Sequence, residues 1–192
     1  MRKIERSDVL DLVEYEKARP DFQRQAIAAK TVRRVAVGPL ITCFFENRLT
    51  MQYQLQEMLR VERVVREDAI ADELATWNSL IPGADELSLT LMVEITDMSK
   101  AREKLEELKD LEPTVSLRIG ARTIPARFEE GQSDENRISA VQYLHFVLGD
   151  EGRRAFLAAS EPRIVIDHPA YRHEAVLPQA TLAALREDLG TP

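Results

Sequence analysis

Cysteine is almost missing from this chain. Cys43 is the only one among 192 residues, so the chain alone can form no intramolecular disulfide, no CxxC redox pair and no cysteine-bound zinc or iron–sulfur cluster. That usage fits a reducing cytoplasm. Glycine and proline are scarce as well, at 7 and 9 residues, which argues against long disordered linkers and predicts a chain folded throughout except at its ends. Long apolar runs are also lacking. No stretch approaches membrane-spanning length, and the charged start at Arg2, Lys3, Glu5 and Arg6 is not followed by the apolar region of a secretory signal, so no membrane association is expected. Positive charge is in deficit, with 26 Lys and Arg against 33 Asp and Glu and a net charge of -7, which disfavours general binding to nucleic acid or anionic lipid. Two basic runs, Lys30 with Arg33 and Arg34, and Arg60, Arg63 and Arg66 interleaved with Glu57, Glu62 and Glu67, read as solvated, salt-bridged faces.

What is present describes an α+β protein. The composition, 44% hydrophobic and 31% charged, does not shift along the chain, so residues 1–192 read as one domain. Ser7 and Asp8 introduce an amphipathic helix ending near Arg19 at Pro20, and a second helix is expected from Asp21 to Thr31. Two apolar runs, 32–37 and 40–45, flank Gly38-Pro39 and predict a hairpin. A long helix follows that Thr50 can cap, and after it another that Asp68 can cap. From Glu86 to Thr96 the pattern alternates strictly, with Leu87, Leu89, Leu91, Val93 and Ile95 on one face. Such a one-sided strand belongs to a largely antiparallel or mixed sheet with helices packed mainly on one face. The long helix and the helix after Ser99 are expected to pack on the Leu87 face. The face with Ser88, Thr90 and Met92 shows no obvious cover, which allows a homodimer through it. Further hairpins are expected at Gly120-Ala121 and at His168 to Arg172, with an exposed loop over Glu129 to Asn136, a central strand over Ile138 to Leu148, and a last helix from Pro178 to Gly190.

Two groups of residues carry candidate chemistry. The first is the corner where a strand feeds the long helix: Glu46, Asn47 and Arg48 offer an acceptor, an amide and a fixed cation. On a helical wheel, Met51, Leu55, Met58 and Val65 form the core-facing stripe. Glu62 falls within that stripe and Gln54 at its edge, so a polar pocket between helix and sheet is expected, with Glu62 buried and neutralised by an arginine such as Arg48. The second is the hairpin around DHPAYRH, which folds His168 and His173 toward one another. Two imidazoles with Asp167 or Glu174 could hold a divalent transition metal, joined by His145 if its strand lies alongside. Cys43, by strand alternation, packs as a small apolar group rather than serving as a nucleophile. GxGxxG, Walker, GxSxG and HExxH motifs are all missing, which weakens nucleotide-binding, hydrolase and metalloprotease readings.

The segments FENRLTMQYQLQEMLRVER, ISAVQYLHFVLG and DHPAYRHEAVL, with the opening RSDVLDLVEYEKARPDFQ, resemble in this order a bacterial family known as domain of unknown function 3501. The resemblance covers nearly the whole chain. It implies no reaction or catalytic residues. It does imply a setting, since members of that family are encoded near rubrerythrin-like and iron–sulfur proteins, and this favours a non-catalytic accessory or binding role beside a redox partner. The competing expectation is a metal-dependent enzyme using His168 and His173 with Glu62 or Glu46.

Overall fold

A computed structural model describes residues 1–132 and 137–190. Its strands are β1 (Arg34–Val37), β2 (Ile41–Phe45), β3 (Glu86–Val93), β4 (Val115–Ile119), β5 (Arg122–Pro125), β6 (Arg127–Phe128), β7 (Val141–Val147), β8 (Arg163–His168) and β9 (Tyr171–Val176). They form a five-stranded sheet in the order β1-β2-β3-β7-β6 and a four-stranded sheet in the order β5-β4-β8-β9. Among the described residues every pairing is antiparallel. The α+β class read from the sequence is therefore the class of the molecule. Strands β5 and β6 are nearly continuous. Between them the Ala126 N–H still donates to Val115 of the four-stranded sheet, and at the next residue, Arg127, the chain is paired with β7 in the other.

The alternation in β3 determines how these sheets meet. Leu87, Leu89 and Leu91 point inward with Cys43, Phe45 and Phe146, and meet Val115, Leu117, Ile164 and Ile166 of the smaller sheet in one apolar cluster. At the edge of this cluster Tyr171 fastens the hairpins together. Its hydroxyl donates to the Val37 carbonyl at 2.6 Å and accepts from the Leu40 and Ile41 amides at 3.0 and 3.2 Å. The turn it grips needs Gly38, which has φ +74, because a Cβ there would lie 2.5 Å from the His173 ring and 2.6 Å from the Tyr171 hydroxyl.

The helices are α1 (Leu12–Val32), α2 (Arg48–Val61), α3 (Glu67–Ser79), α4 (Ala101–Glu107), α5 (Gly149–Ala158) and α6 (Gln179–Gly190). Leu108 and Leu111 beyond α4, Phe156 of α5, and Leu182, Leu185 and Leu189 of α6 join the inner core. On the outer face of the large sheet a second cluster unites Met51, Leu55 and Leu59 of α2 with Ile70, Leu74 and Trp77 of α3, with Tyr143 of β7 packed against it. Helix α2 and the helix after Ser99 thus lie on opposite faces, where one shared face was expected. Residues Ser88 and Thr90 are only 2% and 6% exposed and Met92 is partly buried, so most of the face taken as uncovered is covered within the chain.

Three local readings change for physical reasons. The two expected opening helices are one, with Pro20 inside it. Pro20 is exposed, so water can take the carbonyl its missing N–H leaves free, while buried Tyr15 and Ala26 hold the segments on either side. Asn47, not Thr50, caps α2: its side chain accepts from the Thr50 N–H while the Thr50 hydroxyl accepts from the Asn47 N–H. Finally, α2 ends at Val61, and Arg63 adopts a left-handed φ of 51°, so residues beyond it lose the helical phase. The buried stripe runs through Met51, Leu55 and Leu59, flanked by Gln52 and Gln56, while Met58 and Val65 are exposed. The loop expected over 129–136 extends into 133–136, which lie outside the described residues.

Candidate functional site

The outer face of the large sheet is unusual in what it buries. Antiparallel register sets Thr90 beside both Phe44 and Tyr143, and Ser88 beside His145, while the Glu46 N–H donates to the Ser88 carbonyl, extending β2 by a step. Glu46, Ser88, Thr90 and His145 are all buried there, with Gln54 of α2 against Glu46. Oxygen Oε1 of Glu46 accepts from the Thr90 hydroxyl at 2.7 Å and from the Gln54 amide at 3.4 Å. Its Oε2 is buried without a hydrogen-bond partner among the described residues. The Tyr143 ring, edge-on to Trp77 at 6.4 Å between centroids, forms the neighbouring wall. Burial, and then the Glu46 charge, raise the Tyr143 hydroxyl above its ordinary pKa, so it stays a neutral donor and acceptor.

The expected pocket is therefore partly assembled. Glu46 and Gln54 meet, and Asn47 serves α2 as its cap. Arg48 turns away, lying 2.7 Å from Asp8 and donating to Gln52 at 3.0 Å. Glu62 is not part of it. It is exposed at the C-terminal cap of α2, the far end from Glu46, so neither its burial nor its pairing with Arg48 holds. Besides Thr50 in the cap, the polar residues that α2 buries are Gln52 and Gln56, whose amides bond the backbone of Asp8 and Leu10. A Gln-x-x-x-Gln spacing was their only signal, and it shows a shared helix face without showing what the face meets.

The histidines are dispersed. Strand β7 places His145 in the large sheet, whereas His168 and His173 sit on β8 and β9 of the small one. His168 is buried with both ring nitrogens engaged: Nε2 lies 2.8 Å from the Lys109 carbonyl and Nδ1 accepts from the Ala170 amide at 3.2 Å. That pattern suits a neutral ring protonated at Nε2, which leaves no nitrogen for a metal. His173 is exposed and packs over Tyr171, with ring centroids 4.4 Å apart. Strand pairing sets His168 beside Tyr171 and His173 beside Ile166, so the hairpin does not bring the two imidazoles together as a ligand pair. Among the described residues no three His, Cys, Asp or Glu side chains are grouped to hold a metal. The metal reading of His168, His173 and His145 is corrected accordingly.

His145 has its own arrangement, which sequence reading did not reveal because Glu86 and Glu129 come from distant segments. Its Nδ1 lies 3.3 Å from Glu86 and its Nε2 3.1 Å from Glu129, within ion-pair range though off the line of a good hydrogen bond. The imidazole holds the Glu86 carboxyl below its usual range, against the opposing effect of burial. Cys43 is fully enclosed, and burial pushes its thiol up to about 12, which removes thiolate chemistry. A surface depression of about 530 Å³ over the end of α5 is lined by Arg118, Ser160 and Arg163, but Glu174 pairs with both arginines. Arg33, read as part of a solvated run, is buried in a two-point ion pair with Asp188 at 2.5 and 2.9 Å.

No helix among the described residues is long and apolar enough to cross a membrane. No curated protein matches the chain. Its fold is similar to that in the crystal structure of a novel protein of unknown function from Burkholderia pseudomallei K96243, at 31% identity and a TM-score of 0.90, covering 98% of this chain and 100% of the other. A family model described as protein of unknown function matches residues 3–189, and with that span the chain belongs to the DUF3501 family.

Proposed function

We propose that this protein is a non-catalytic accessory or binding protein that acts in the cytoplasm beside a redox partner of the rubrerythrin-like or iron–sulfur type. The observation that carries the non-catalytic half is the separation of its reactive groups. The thiol is sealed in the core, His168 is committed at both nitrogens, His145 stands between two carboxylates, and none of them forms a nucleophile–base pair. The redox half is supported by the family's setting and by cysteine usage: with one buried thiol the chain cannot carry a cysteine-bound cluster, so electrons would reside in the partner.

The test is to titrate the purified protein into a rubrerythrin-type di-iron protein by calorimetry and to follow the partner's peroxide reduction. Saturable binding with a severalfold change in that rate is expected. Neither heat nor a rate change with di-iron and iron–sulfur partners alike would overturn the proposal.

A further inference from the structure

The geometry points to Glu46 as the anionic centre of a binding site for a small monovalent cation, an alkali metal ion or an ammonium group, between the large sheet and α2. Glu46 is 2% exposed, and its two oxygens are unlike. Oε1 is occupied by Thr90 and Gln54, whereas Oε2 is buried with no hydrogen-bond partner among the described residues. The nearest cation in sequence, Arg48, is committed to Asp8 and Gln52. The first-turn amide of Thr50 is taken by Asn47 and gives nothing to Glu46. A buried carboxylate with no counter-charge is strongly unfavourable, and one positive charge on Oε2 removes that cost.

The surroundings select the class of ligand. Thr90 and Gln54 supply uncharged polar atoms at the carboxylate, and Tyr143, opposite Thr90 in register, keeps a neutral hydroxyl and an aromatic ring nearby. The Thr90 and Tyr143 hydroxyls are the neutral oxygens beside the carboxylate, while Gln54 turns its amide nitrogen to it and must rotate to offer its oxygen. One carboxylate with such neutral ligands balances one hard positive charge. A divalent ion requires more anionic ligands, and the neighbouring carboxylate on this face, Glu86, is engaged by His145. Gln54 and Tyr143 are only partly buried and are the groups of this cluster nearest to solvent, whereas Glu46 itself is enclosed. The site is independent of the proposed redox partnership.

Thermal unfolding tests it in sodium, potassium and ammonium chlorides, each against choline chloride at equal ionic strength. At least one small cation should raise the midpoint saturably by about 2–4 °C, and the three salts separate a metal ion from an ammonium group. Glu46→Gln, which still accepts from Thr90, should abolish the rise. Gln54→Lys places an ammonium beside the carboxylate, and should raise the midpoint in choline chloride and erase the response to small cations. Equal wild-type midpoints in all four salts would overturn the site, and that comparison needs no variant to fold. An undiminished response in Glu46→Gln or in Gln54→Lys would overturn it too.

Discussion

Arg33 and Glu62 show how little a residue's charge says about its role. Both are charged residues beside the end of a helix, in sequence surroundings rich in other charges. Arg33 has a side-chain exposure of 7% and holds Asp188, at 15%, with two hydrogen bonds, joining the start of β1 to α6. Removing one member leaves the other desolvated and unpaired. Arg33→Met should therefore cost about 3–5 kcal/mol, whereas Glu62→Ala, at an exposed cap, should stay within about 0.5 kcal/mol. Urea unfolding with equal slopes compares them directly, and similar midpoints for the two variants would contradict the assignment.

At the scale of elements, α1 is held from outside rather than by its own sequence. Only Tyr15 and Ala26 are buried along its 21 residues, and Pro20 interrupts its hydrogen bonds. The docking is polar. The Tyr15 hydroxyl donates to Glu57 at 2.7 Å, Arg19 reaches both oxygens of the same carboxylate, and at the other end the Thr181 hydroxyl caps the Val32 carbonyl. Because the helix continues through an exposed proline, Pro20→Ala should restore a hydrogen bond and stabilise the protein by about 2 kcal/mol, less the entropy that proline removes from the unfolded chain. A lowered denaturation midpoint would mean that the proline bend is needed for α1 to reach both α2 and α6. Sequence reading stopped the helix at this proline because it weighs only local cost, and the tertiary contacts on both sides outweigh it.

At the scale of the whole molecule, acid should loosen α1 from α2 within the helical layer. The Arg19 guanidinium foremost, then Tyr15 and Arg60, hold the Glu57 carboxyl at about 2, against an ordinary value of 4.5. A carboxyl depressed in the folded state adds stability in full above its unfolded value, and the contribution fades as pH falls through the folded one. The window is therefore about pH 4.5 to 2. Glu57→Gln should be less stable than the wild type at pH 7, with the gap in urea midpoint narrowing toward pH 3. A gap of constant size would show that packing, rather than ionisation of Glu57, holds α1 on α2.

The sequence by itself determined the α+β class, the hairpins at Gly38, Gly120 and Pro169, the strand β3 with its Leu87, Leu89 and Leu91 face, and the inert Cys43, because these follow from period, turn chemistry and alternation within a few residues. It also drew attention to Glu46 and Gln54, since a polar corner between a strand and a helix is a local pattern. Only the tertiary structure decided that two sheets share the inner core, that α2 covers the hydroxyl-bearing face of β3, and that Glu86 and Glu129 flank His145. Each depends on segments distant in sequence coming to one place. The helical phase of α2 fell between these cases. Its period was legible, but nothing local singled out Gln52 and Gln56 for burial, which the backbone of Asp8 and Leu10 makes favourable by offering partners.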